Sequence, residues 1–118
     1  MIKMKLYDLT KLTEMSRGKV EFVTKMLNLF IEMAPRLLAE MNQALALQEV
    51  DTIRKIAHQL KPSLSNLGIE SLKNTISELE FFDPSVNSEA QLLELVSYTT
   101  QTISSVVEAM KEANHAAQ

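Results

Sequence analysis

Four stretches of the chain repeat apolar residues at spacings of three and four, the period of one face of an α-helix. The clearest stretch ends at Gly68, a residue type that suits the left-handed position after a helix. A second stripe starts at once at Ile69 and continues to Phe82, so the two predicted helices must form an antiparallel hairpin. The stripe before the turn consists of Ile53, Ile56, Ala57, Leu60, Leu64 and Leu67.

Two longer stripes flank this hairpin. The first covers residues 20–45 and is interrupted by Pro35, which predicts either one kinked helix or two helices that meet near Ala34. The last begins near Ser88, where the run Ser-Glu-Ala-Gln resembles a capping box, and continues to Met110. These stripes predict two further long helices.

Two aspartates precede apolar stripes and are candidate N-caps. Asp51 stands before the first helix of the hairpin. Asp8 opens a short segment, residues 8–12, with apolar residues three apart, which predicts one or two helical turns at one end of the molecule.

The composition agrees with helices, because only two glycines and three prolines occur among 118 residues. This length has room for one hydrophobic core. We therefore predict an all-α fold, an antiparallel four-helix bundle with a short extra N-terminal helix. It should form a single domain over residues 1–118, with a frayed tail at 113–118.

Charge and composition exclude several classes of function. A net charge of −3 argues against nucleic-acid binding, which needs an excess of Lys and Arg. The absence of cysteine rules out disulfides, thiolate metal sites and a Cys nucleophile, and the absence of an apolar run of about 20 residues argues against a membrane span. We expect a cytoplasmic monomer whose partners are proteins.

One histidine outside the tail, His58, lies off the apolar stripe of its helix. At about 100° per residue it falls near 140° from Ile53, so its ring should face solvent. The same count places four neighbours on its face: Arg54, Lys61, Pro62 and Ser65.

The two cations among these neighbours favour a neutral, nucleophilic imidazole and would attract a phosphoryl group. No second metal ligand lies within helical reach of the ring, so we expect no metal site. The alternative is an ordinary solvated histidine in a helix with scattered positive charges.

Glu80 is a candidate partner for this histidine. His58 stands ten residues before Gly68 and Glu80 twelve after it, so at 1.5 Å per residue both lie about 15 to 18 Å from the turn. A carboxylate that accepts from Nδ1–H would leave Nε2 bare for nucleophilic attack. The alternative is that Glu80 is a solvated member of an acidic run.

The run from Ala57 to Gly68, Ala-His-Gln-Leu-Lys-Pro-Ser-Leu-Ser-Asn-Leu-Gly, resembles the signature A-H-x-L-K-[small]-x-x-x-x-L-G of histidine phosphotransfer (HPt) domains. The similarity extends more loosely from residues 30–38 to Glu80. The resemblance implies that His58 is phosphorylated on Nε2, that Lys61 helps to neutralise the phosphoryl group, and that Glu80 takes the place of a family Gln or Glu that hydrogen-bonds the imidazole.

Pro62 departs from the family pattern, which places a small residue there so that a receiver domain can approach the imidazole. A proline also removes the N–H that would bond the carbonyl of His58. Because the apolar stripe keeps its phase from Ile53 to Leu67, we predict a bent but continuous helix.

The leading interpretation is a phosphocarrier that takes a phosphoryl group from a receiver aspartyl-phosphate and passes it to another receiver aspartate, with a hybrid sensor histidine kinase as a further partner. Gly18 and Gly68 do not form a P-loop or kinase loop, so we expect no ATP site, no cofactor of its own and Mg²⁺ supplied by the receiver. The alternative is a helical docking module that is not phosphorylated and binds or inhibits a receiver or kinase. An enzyme with its own turnover is disfavoured, because only His58 and Glu80 offer an acid–base pair.

Overall fold

The computed structural model describes residues 6–116, and this part of the chain contains helices and turns but no strand. The predicted all-α fold is confirmed. A short 3₁₀ turn, Glu70–Leu72, precedes the fourth helix. The α-helices are α1 Thr10–Met15, α2 Val20–Ala46, α3 Val50–Asn66, α4 Lys73–Glu80 and α5 Glu89–Ala116.

Four of these helices form a bundle in which α2 and α4 each pack against both α3 and α5. Each helix turns its apolar face toward one shared core, and α1 adds Leu12 to it. Every residue of the predicted stripe in α3 is buried. The largest fully buried side chains include Met41, Ile53, Leu60, Leu72, Leu79, Ile103 and Met110.

Helix α2 continues through Pro35 without a break, so the alternative of two helices that meet near Ala34 is wrong. The first residue of its apolar stripe, Val20, is not part of the core, because 75% of its surface is exposed. Burial in α2 starts at Phe30 and continues to Ala44, so only the second half of this helix is fully packed against its neighbours.

The turn between α3 and α4 has the predicted left-handed glycine, with φ of +62° at Gly68. The N-terminal segment lies against this turn, since the backbone N–H of Asp8 donates to the carbonyl of Leu67 at 2.9 Å. Asp8 also accepts a hydrogen bond from the backbone N–H of Thr10 at 2.9 Å, at the start of α1. The short N-terminal helix was predicted to lie at one end of the bundle, and it lies at the hairpin end.

Three helix starts differ from prediction by one to a few residues. Leu9, and not Asp8, directly precedes α1. Glu49 precedes α3, and Asp51 lies in its first turn instead of capping it. A carboxylate in the first turn still interacts favourably with the helix dipole. The second helix of the hairpin, predicted from Ile69, becomes α-helical only at Lys73, because the chain first makes the 3₁₀ turn.

The last helix starts as predicted, with the hydroxyl of Ser88 accepting from the backbone N–H of Gln91 at 3.2 Å. Of the predicted frayed tail at 113–118, residues up to Ala116 belong to α5, and residues 117–118 lie outside the described part. Among the described residues, no helix combines the length and apolarity of a membrane span.

Candidate functional site

His58 projects from the middle of α3 into solvent, with 78% of its side chain exposed. Its position follows from the helical phase, because Ala57 and Leu60 on either side of it are buried in the core. A helix packed into the core thus presents an accessible imidazole.

Glu80, the last residue of α4, holds this imidazole. One carboxylate oxygen, Oε2, contacts Nδ1 of His58. The other, Oε1, accepts a hydrogen bond from Nζ of Lys61 at 3.0 Å. The Glu80 side chain is only 10% exposed, so it lies in the groove between α3 and α4 while its two partners face solvent. The structure therefore brings together three of the residues singled out in the sequence.

The charge of Glu80 determines which ring nitrogen carries the proton. The hydrogen bond with His58, and after it the one with Lys61, lowers the pKa of the Glu80 carboxyl. An ionised carboxylate only accepts hydrogen bonds, so Nδ1 of His58 must donate. In the neutral ring the lone pair is then on Nε2, and no group of the described residues bonds that nitrogen.

Arg54 lies one turn before His58 on the same face of α3. Its Nε donates to the backbone carbonyl of Glu80 at 3.1 Å, and its Nη1 is 3.8 Å from the carboxylate of Asp51. Arg54 and Lys61, the two cations predicted on the face of His58, both bind Glu80.

Pro62 and Ser65 are exposed on the same face as His58. Helix α3 continues through Pro62, as predicted, although proline has no N–H for the carbonyl of His58. The hydroxyl of Ser65 accepts from Nζ of Lys11, which reaches across from α1 at 3.3 Å. The surface around the imidazole therefore includes a residue from the N-terminal segment.

Two residues of this surface were missed by the sequence analysis. The ring of Phe81 is 69% exposed, and Nζ of Lys61 lies 5.6 Å from its centroid, within range of a cation–π interaction. An aromatic residue directly after Glu80 was a usable signal. No sequence pattern indicated that Lys11 would contact this surface, because it is 54 residues from Ser65 in sequence.

Chemically, the site offers one accessible nitrogen nucleophile with its tautomer held by a carboxylate and an ammonium group nearby. Among the described residues, no group of three or more His, Asp or Glu side chains is arranged to hold a metal ion.

Comparison with protein-family models gave a match over most of the chain. The family model described as "Hpt domain" matches residues 25–115 of the 118-residue chain, a range that includes His58, Glu80 and most of α2 and α5. Neither the curated proteins nor the solved structures produced a match.

Proposed function

The chain belongs to the Hpt domain family, and from this membership we propose that it accepts a phosphoryl group on Nε2 of His58 from a receiver-domain aspartyl-phosphate and passes it to the aspartate of another receiver. Members of this family act as phosphocarriers in histidine–aspartate phosphorelays, and receiver domains are their partners.

The transfer step uses the arrangement of His58 and Glu80. The Nε2 lone pair attacks the phosphorus, a P–N bond forms, and the P–O bond to the receiver aspartate breaks to release its carboxylate. The Nδ1 proton stays on the ring, and the positive charge that develops there faces the carboxylate of Glu80. Transfer to a second receiver runs the same step in reverse.

The remaining residues have supporting roles in this proposal. Lys61 lies near the ring and would turn from Glu80 toward the phosphoryl oxygens to neutralise their charge. Arg54, Pro62 and Ser65 form part of the exposed face against which a receiver would bind. The Mg²⁺ and most of the transition-state stabilisation would come from the receiver, and a hybrid sensor histidine kinase would supply the phosphoryl group at the start of the relay.

The observation that carries the proposal is the state of the His58 ring. Glu80 bonds Nδ1, while Nε2 has no partner among the described residues and the side chain is exposed on a helix packed into the core. A buried ring, or an internal partner at Nε2, would block attack on an incoming aspartyl-phosphate.

Incubation with a phosphorylated receiver domain tests the proposal. We expect the protein to acquire a phosphate that is labile in acid and stable in alkali, as a phosphoramidate is. The variant H58Q should acquire none. H115Q, which removes the other histidine of the chain, is the matched control and should be labelled like the wild type.

Two results would contradict the proposal. Equal labelling of H58Q and wild type would place the phosphate on another residue. A wild-type protein that binds receivers without taking up phosphate would instead be a docking module that is not phosphorylated.

A further inference from the structure

Three side chains of α3 bind three different oxygen atoms of Glu80. Arg54, His58 and Lys61 follow one another along one face of the helix at spacings of four and three. His58 and Lys61 bind the two carboxylate oxygens, and Arg54 binds the backbone carbonyl at 3.1 Å. The contact with Arg54 therefore fixes the main chain of Glu80, from which the carboxylate extends.

This carbonyl belongs to the last residue of a short helix. Helix α4 has eight residues and no basic residue in its last turn. Carbonyls at a helix C-terminus have no N–H partner within the helix, and a positive charge there interacts favourably with the helix dipole. Arg54 supplies, from α3, both the donor and the charge that α4 lacks.

Asp51, three residues earlier on α3, lies 3.8 Å from Nη1 of Arg54. The charge of Arg54 also contributes to the lowered pKa of Asp83, after the larger effects of the hydroxyl and backbone of Ser85. An incoming phosphoryl group would have to compete with Asp51 and with the carbonyl of Glu80 for the guanidinium.

We propose that Arg54 is a positioning residue that fixes the end of α4, so that the carboxylate of Glu80 reaches Nδ1 of His58 and Nε2 stays unprotonated in the neutral ring. The effect of Arg54 on transfer rests on the proposed function. Its effect on the tautomer of the ring does not, and can be measured without any partner.

The first test is ¹⁵N NMR of the His58 imidazole in the full chain at a pH where the ring is neutral. R54M removes the donor and the charge but keeps an aliphatic stem. We expect the ratio of the Nε2–H to the Nδ1–H tautomer to rise roughly threefold to tenfold, as loss of one hydrogen-bonded contact allows. R54K, which keeps the charge, should lie between R54M and the wild type.

K55M is the matched control, because Lys55 is an exposed cation on the next residue of α3 and is not among the described residues that bind Glu80. It should leave the ratio unchanged. Helix content is checked by circular dichroism, and if R54M does not fold, R54Q replaces it with the same expectation. An R54M or R54Q protein that folds with the wild-type ratio would overturn the proposal.

The second test measures the rate of transfer from a phosphorylated receiver. R54M should slow it by less than the roughly threefold to tenfold rise in the tautomer ratio, because the nucleophile is less often in the reactive form. Since Arg54 acts through Glu80, adding R54M to E80A should slow transfer no further than E80A alone.

The two tests separate failure of this inference from failure of the proposed function. If R54M slowed transfer but left the tautomer ratio of the His58 ring unchanged, Arg54 would contact the phosphoryl group or the receiver directly. The positioning role would then be wrong. If the wild type accepted no phosphoryl group, the proposed function would fail, and the NMR measurement would still decide the role of Arg54.

Discussion

At the scale of single residues, the site is organised around one carboxylate. Glu80 lies between an imidazole and an ammonium group, and a third α3 side chain holds its backbone. A partly buried carboxylate is favourable here because each of its oxygens has a donor. The ionised state of Glu80 should therefore contribute to the stability of the fold as well as to the chemistry of the site.

The stability of the protein should consequently depend on pH through Glu80. Its pKa is lowered from the ordinary value of 4.5, so the folded state favours the ionised form. This contribution to stability is complete above the ordinary value and is lost as the pH falls through the lowered one. The difference in free energy of unfolding between wild type and E80Q should shrink as the pH falls below 4.5 and through the lowered pKa of Glu80.

Urea denaturation at several pH values measures this difference. E78Q is the matched control, because Glu78 is an exposed acid on the same helix without a described partner. The difference in free energy of unfolding between wild type and E78Q should change less over the same pH range. A difference for E80Q that stays constant with pH would show that the two donors do not favour the ionised form of Glu80.

At the scale of secondary-structure elements, two helices contain a proline in their interior, Pro35 in α2 and Pro62 in α3. Each proline removes one backbone hydrogen bond, yet both helices continue. Their apolar faces are buried on both sides of the proline, so tertiary packing outweighs the local cost. At Pro62 the carbonyl deprived of its N–H partner belongs to His58.

Replacing Pro62 by alanine should stabilise the protein by about 1 to 3 kcal/mol, since it restores the N–H and improves helix propensity. Chemical denaturation measures the change. P35A is a matched substitution in the other long helix and should also stabilise. A destabilised P62A protein would show that the bundle depends on the backbone geometry that proline imposes beside His58.

Across the bundle, the N-terminal segment is connected to the site through the hairpin turn at Gly68. Asp8 bonds Leu67 next to Gly68, and Lys11 bonds Ser65 on the face that carries His58. Contacts between residues so distant in sequence form only when the bundle is assembled. These two hydrogen bonds connect the N-terminal segment to the turn at Gly68 and to the face that carries His58.

Gly68→Ala should be much more costly than Gly18→Ala, although both glycines have a positive φ. A Cβ at Gly68 would lie 2.6 Å from the backbone oxygen of Asp8, whereas one at Gly18 would meet nothing within 4 Å. We expect a loss of about 1 kcal/mol for G18A and about 3 kcal/mol for G68A. Equal losses of stability for G18A and G68A, measured by chemical denaturation, would mean that the N-terminal segment moves away from residue 68 at little energetic cost.

Local periodicity predicted much of this protein. The helical phase places His58 on the solvent face with Arg54 and Lys61, and the distances along the chain from Gly68 place Glu80 at the same height. These inferences succeeded because they need only the geometry of one helix and the length of one hairpin. Helix starts were less accurate, as at Asp51 and Lys73, because caps compete with tertiary contacts.

Local sequence patterns were sufficient to predict the all-α class, the buried stripe of α3 and the face of α3 that carries His58, since these follow from interactions between residues a few positions apart. Local patterns could not show that Arg54 binds the backbone of Glu80, that α2 remains one helix through Pro35, or that Lys11 reaches Ser65. Such contacts depend on the register of one helix against another. That register is set by the packing of the entire core, which no local pattern specifies.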